Sequence, residues 1–120
     1  MRNKQSVRAG YFQGERQEMA LRYAYRPEFV PLLLDYLGAR PGTHILEAGC
    51  GSGFLARLLA RTLADVQLVA LDTDGEMLNI ARQLQAREKL DGKIRLGYGD
   101  AFHLPFPDNS FDLVTSHRLL

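Results

Sequence analysis

The residues best suited to chemistry are Glu47-Ala48-Gly49-Cys50-Gly51-Ser52-Gly53. Glycines spaced two apart let a chain turn sharply, and they let a ligand press against the main chain where a Cβ would block it. An acidic residue just ahead of them suits a cationic ligand, whereas a pyrophosphate would prefer an uncluttered helix amino terminus. The dinucleotide pattern needs a glycine three positions after its second one, and the residue after Gly51-Ser52-Gly53 is Phe54. A second acid, Asp72, follows ~20 residues past the glycines, where a carboxylate can accept from both hydroxyls of a ribose. Each signal has a plainer reading when taken alone. The glycines also suit any tight strand-to-helix turn, and the aspartate any strand end or helix cap.

A third segment separates these possibilities. Gly99-Asp100-Ala101-Phe102-His103 runs into Leu104-Pro105-Phe106-Pro107-Asp108-Asn109-Ser110-Phe111-Asp112. With the glycine turn and Asp72 in the same order and spacing, it resembles the class I S-adenosylmethionine-dependent methyltransferases. Within that class it looks most like the methyltransferase type 11 group, which includes the ubiquinone/menaquinone-biosynthesis type and many small-molecule methyltransferases. The resemblance covers about residues 27–120. It implies a Rossmann-like doubly wound α/β sheet, S-adenosyl-L-methionine as cofactor, and methyl transfer to a small-molecule acceptor.

By position, the resemblance also implies roles. Glu47 lies under the methionine end of the cofactor and orders its ammonium group, directly or through water. The backbone of Gly49, Gly51, Ser52 and Gly53 lies against the methionine and ribose portions. Asp72 binds the ribose hydroxyls, and Thr73 and Met77 border the adenine. Asp100 accepts from the adenine amino group, and the Ala101 amide donates to the ring. Residues from Thr115 to His117 line the cofactor near its methyl group.

Other side chains invite chemistry and have simpler explanations. Cys50 sits in the glycine turn with no histidine base beside it in sequence, so it reads as a small residue in a tight turn. His44, His103 and His117 lack ligand spacing, so no metal is expected. His117 follows the fourth strand and is the one candidate general base. Tyr11 and Phe12 suit a lid with a cation–π contact to the sulfonium, while Tyr23 and Tyr25 suit packing on the first helix.

The elements that must hold these residues are legible. Pro27 opens a helix whose apolar positions Phe29, Val30, Leu33, Leu34 and Leu37 recur at helical spacing, with Pro31 in the first turn and Gly38 as the stop. Thr43 to Ala48 reads as a strand, and Phe54, Leu55, Leu58, Leu59 and Leu63 as one face of a helix. Gln67 to Leu71, ending in Asp72, is a short apolar run of the kind covered on both faces in parallel sheets. Thr73-Asp74-Gly75-Glu76 has the capping-box spacing with Thr73 at the cap. The helix after it turns Met77, Ile80, Ala81 and Leu84 inward and Arg82, Gln85, Arg87, Glu88 and Lys89 outward, and Asp91-Gly92 ends it. Ile94 to Tyr98 and Phe111 to Thr115 are the third and fourth strands. Strands alternating with helices define a parallel sheet with right-handed crossovers.

With 120 residues, the chain is long enough for one small domain. A net charge of +1 gives no global field toward nucleic acid, and no apolar run is long enough to span a bilayer. The charge is concentrated at the start. Residues 1–26 hold Arg2, Lys4, Arg8, Arg16, Arg22 and Arg26 against Glu15 and Glu18, and read as a basic amino-terminal arm. A single cysteine and no secretory signal place the protein in the cytoplasm. Four strands are readable where this class has about seven. Residues 27–120 therefore read as the amino-terminal part of a larger domain. The fourth strand would keep an unpaired edge, open to pairing with a second copy of the chain. The alternative reading is a truncated, catalytically inactive cofactor-binding or interaction module.

Overall fold

A computed structural model describes residues 26–116. Residues 1–25 of the basic arm, with Tyr11, Phe12, Tyr23 and Tyr25, and His117 lie outside the described residues. A 3₁₀ turn at Pro27–Phe29 leads into α1 (Val30–Leu37), with Pro31 in its first turn and Gly38 closing it in a left-handed conformation. Then follow β1 (His44–Ala48), α2 (Phe54–Thr62), β2 (Gln67–Asp72), α3 (Gly75–Arg87), β3 (Ile94–Tyr98) and β4 (Leu113–Ser116).

The strands form one parallel sheet in the order β3-β2-β1-β4. Chain order runs outward from β1 to β3 and then returns to the far side of β1. The sheet thus reverses direction between β1 and β4, and in open parallel sheets ligands bind at the carboxyl ends of the strands at such a point. β4 pairs with β1 alone, so its other side is an open edge among the described residues. This is the Rossmann-like arrangement that the sequence implied.

Alternation along the strands decides what is buried. Ile45, Glu47, Leu68, Ala70, Ile94 and Thr115 hold in-register positions of one face. On that face Ile45, Leu68, Ala70 and Ile94 pack with Leu55, Ala56, Leu59, Ala60 and Leu63 of α2 and its end. Fully burying a Leu or Ile stabilises by roughly 1.5–3 kcal/mol, and Ile45, Leu46, Leu59 and Leu68 are all fully buried.

Four local expectations change. The cap of α3 is Asp74 rather than Thr73, because the Asp74 carboxylate accepts the Glu76 and Met77 amides and the helix starts at Gly75. The same helix ends at Arg87, before Asp91-Gly92, with Glu88 as its C-cap. Gln85 faces inward, since its Nε2 donates to the Ile94 carbonyl at 3.0 Å and satisfies a buried acceptor. The fourth strand begins at Leu113 rather than Phe111. Phe111 is instead stacked edge-on against Phe106 at 5.0 Å, and the Asp112 carboxylate accepts the His44 amide at 2.9 Å.

Candidate functional site

Three chain segments meet at the carboxyl edge of the sheet. The glycine turn leaves β1 and crosses to β2, where the Gly49 and Cys50 amides both donate to the Leu71 carbonyl. The Gly51 amide donates to Asp72 Oδ2 at 2.7 Å, and the Asp74 amide donates to Asp72 Oδ1 at 2.8 Å. The Gly99 amide donates to the Asp72 carbonyl at 3.1 Å, which brings Asp100 to the same edge. Each Asp72 oxygen accepts one backbone bond, so the carboxylate is oriented and keeps lone pairs for further donors.

Gly53 shows why the third glycine is needed. Its φ is +82°, and a Cβ there would lie 3.3 Å from the Ala81 Cβ on α3. A side chain would strain the turn and push α3 off it. Gly99 is constrained from another side, because a Cβ would lie 2.8 Å from Leu71 Cδ1.

Glu47 is 1 % exposed, and its register neighbours are Ala70 on β2 and Thr115 on β4. The Ala56 amide, in the first turn of α2, hydrogen-bonds to its carboxyl, while Oε2 has no partner. Burial pushes the carboxyl up to about 8, the Ala56 bond opposes that rise, the Asp72 charge adds to it, and Arg57 opposes it. The Thr115 hydroxyl is also buried without a partner. Two unsatisfied polar groups therefore sit at one register level beneath the glycine turn, where unpaired buried polar atoms are rare.

The remaining expected site residues are less uniform. Gly49, Gly51, Asp100 and Ala101 are half-buried and Thr73 is exposed, all on loops at this edge. Ser52 is fully buried, and its carbonyl accepts from Arg57. Met77 is buried in the first turn of α3. The Asp100 carboxylate accepts the Phe102 amide at 2.9 Å and lies 3.3 Å from His103 Nδ1. The Phe102 bond, then His103, holds its carboxyl below the usual carboxylate range. Cys50 is buried, and burial followed by the Glu47 charge pushes its thiol up, which suits a packing role and not a nucleophile.

Arg57 is a residue the sequence reading passed over. Its guanidinium is buried, Nη1 donates to the Ser52 carbonyl at 2.5 Å, and Nε pairs with Glu88 Oε2 at 2.7 Å. The available signal was a lone cation within the apolar stretch Phe54-Leu55-Ala56-Arg57-Leu58-Leu59.

A switch point with a glycine turn, an oriented strand-end acid and a buried acid beneath them is the arrangement of a class I methyltransferase-like fold. Residues 45–120 match the methyltransferase domain family, and the chain belongs to it, in the class I group resembling the ubiquinone/menaquinone methyltransferases. Demethylmenaquinone methyltransferase of Symbiobacterium thermophilum is 43% identical over 77 residues, covering 63% of this chain and 31% of that protein. The chain spans about a third of the length of the curated relatives it matches. A protein of Methanococcus maripaludis described as a candidate S-adenosyl-L-methionine-dependent methyltransferase superposes with a TM-score of 0.76 at 26% identity, over 98% of this chain and 52% of that one. The [4+2]-cyclase SpnF superposes with a TM-score of 0.65 at 26% identity, over 72% of this chain and 32% of that one.

Proposed function

We propose that this chain carries the cofactor site of a methyltransferase that binds S-adenosyl-L-methionine and methylates a small-molecule acceptor. The observation that carries the reading is the buried Glu47 carboxyl, whose Oε2 lacks a partner beneath the glycine turn. A cationic ligand end would supply what that atom lacks, and an anionic pyrophosphate would not. The donor set fits the rest of the cofactor. Asp72, held by two backbone amides, would accept from the ribose hydroxyls. Asp100 and the Ala101 amide would take the adenine edge, with Thr73 and Met77 beside it.

When bound, the cofactor supplies a methyl group on a cationic sulfur that departs as a neutral thioether. The chain therefore needs to stabilise no developing anion, and its contribution is orientation and exclusion of water. Thr115 at the end of β4 would face the methyl end, with His117 after it as the candidate base where the acceptor must lose a proton. The single cysteine suits a reducing compartment, and we assign the protein to the cytoplasm. Among the described residues, no helix is long and apolar enough to cross a membrane. The open edge of β4 would take a further strand, and pairing with a second copy is one way to supply it.

A second reading is a cofactor-binding module without methyl transfer. The likeness to a [4+2]-cyclase keeps it in view, because it shows that this fold is not confined to methyl transfer. Incubation with methyl-labelled cofactor and a panel of quinone precursors and other small hydroxylated acceptors separates the two. Label appearing in an acceptor supports methyl transfer. Tight cofactor binding with no label in any acceptor supports the module.

A further inference from the structure

α2 begins at Phe54 after Gly53, which has no side chain to cap it, and its first turn holds no acidic residue, although the Ala56 amide is met from β1 by the Glu47 carboxyl. Arg57 nevertheless puts a positive charge one turn inside that amino terminus, where the helix dipole opposes it. The side chain is only 3% exposed, so it also bears the cost of burying a charge. An apolar side chain would fill the position without either penalty. What the guanidinium does with its donors accounts for its presence.

Nη1 reaches back under the turn to the Ser52 carbonyl. The amide of the same peptide unit, Gly53 N–H, donates to the Cys50 carbonyl at 2.9 Å. Both ends of the Ser52–Gly53 peptide are thus fixed. This peptide is free to flip unless it is held, because Gly53 sits at positive φ and glycine crosses to negative φ at little cost. A flip would rotate the Ser52 carbonyl out of its place and re-aim the backbone groups on either side. Nε anchors the guanidinium on Glu88, the C-cap of α3, and Arg61 pairs with the same carboxylate. The planar fork of arginine can hold two partners at once in fixed geometry, which a lysine cannot do.

We propose that Arg57, held by Glu88 from the far end of α3, is the positioning residue that locks the Ser52–Gly53 peptide and so keeps the glycine turn in its cofactor-binding shape. The proposal rests on the cofactor reading above. It adds a route by which the end of α3 controls the turn, with neither Arg57 nor Glu88 touching the ligand.

The test uses the chain with Arg57→Met, Arg57→Lys and Glu88→Ala. Methionine keeps the apolar stem, and Glu88 keeps Arg61 as a partner. Two quantities are measured: amide hydrogen exchange at Gly53 relative to Leu46 in the core of β1, and calorimetric affinity for S-adenosylmethionine. In Arg57→Met the Gly53 amide exchanges about tenfold faster relative to Leu46, because local opening no longer requires breaking the clamp. Cofactor affinity falls by about tenfold in the same variant, with Arg57→Lys between it and the parent chain. Glu88→Ala, which keeps Arg57, shows the same two changes at about threefold and decides the matter if Arg57→Met does not fold. A purely structural role would speed exchange at Gly53 and Leu46 alike, and that result overturns the proposal. So does an affinity within about twofold of the parent chain. A parent chain that binds no cofactor defeats the cofactor reading and, with it, the cofactor-positioning role, while the Gly53 exchange ratio still reports whether Arg57 holds the turn.

Discussion

The two halves of the candidate site are built differently. On the β1–β2 side, the glycine turn and both acids are held from neighbouring elements. The glycine turn is tied to Leu71, to Asp72 and to Arg57, and Glu47 is sealed between two strands and the start of α2. On the β3–β4 side, the chain from Gly99 to Asp112 lies on the surface. Asp100 is held by its own following turn, and Tyr98, Phe102 and Val114 are large apolar residues left exposed. The first half has its geometry fixed by its own bonds. The second half leaves apolar surface uncovered around the β3 end and along β4, so its final shape depends on what packs there. The β1–β2 side should therefore respond to mutation through stability and affinity together, and the β3–β4 side mainly through affinity.

The largest effect is expected at Gly53→Ala. A positive φ and a 3.3 Å approach to Ala81 oppose any side chain there. Urea denaturation should show a loss of roughly 1–3 kcal/mol, with cofactor binding lost as well. Next comes Asp72→Ala, which removes the proposed ribose acceptor and leaves the Gly51 and Asp74 amides without their carboxylate. Cofactor affinity should fall at least tenfold, by about 1.4 kcal/mol or more, in calorimetry.

Glu47→Gln tests the buried side through pH. The folded-state carboxyl is raised to about 8 from an ordinary value of 4.5, so between those values the folded chain binds more protons than the unfolded one. The stability this group contributes is present in full below pH 4.5 and is lost as pH rises through about 8. Denaturation midpoints of the parent chain should therefore fall across that window. The Glu47→Gln chain should lack this component and be more stable than the parent at pH 9 by roughly 1 kcal/mol or more. A cationic ligand end favours the ionised form, so cofactor binding at neutral pH should release a proton. That release would show as an apparent enthalpy that changes with the buffer's ionisation enthalpy, and Glu47→Gln should abolish it.

The smallest effects belong to the other half. Asp112→Ala removes the carboxylate that accepts the His44 amide and should cost about 1 kcal/mol in denaturation. Asp100→Ala should leave the denaturation midpoint within about 0.5 kcal/mol while weakening the cofactor a few-fold. If Asp100→Ala unfolded the chain as readily as Gly53→Ala, the contrast between the halves would fail.

The sequence showed the parallel α/β class because β1 and β2 are short apolar runs and the β1–β2 and β2–β3 crossovers are helices with an apolar face, with a loop between β3 and β4. β3 falls on the expected residues, and β2 ends at Asp72 as read. Glu47, the glycines, Asp72 and Asp100 were legible as types and spacings, and the fold brings them to one edge. What escaped reading depends on partners distant in sequence. Arg57 acquires its role from Glu88 on the next helix, and Gln85 turns inward to meet a carbonyl of β3. The regular part of β4 starts at Leu113 because Phe111 packs edge-on against Phe106, while Asp112 meets His44 through both its main-chain amide and its side-chain carboxylate. The most family-specific string, Leu104 to Asp112, turns out to be a turn that launches β4. Asn109 adopts positive φ, the Ser110 hydroxyl donates to the Pro107 carbonyl, and Phe106 packs on Phe111. Periodicity could not have revealed those contacts, because the segment forms no regular element before Leu113.

The most direct test of the cofactor assignment is calorimetric titration of the chain with S-adenosylmethionine and, separately, with NAD. Saturable binding of S-adenosylmethionine alone, abolished by Asp72→Ala, is the expected result. Binding of NAD in its place, or S-adenosylmethionine binding that Asp72→Ala leaves unchanged, would contradict the site described at the ends of β1 and β2.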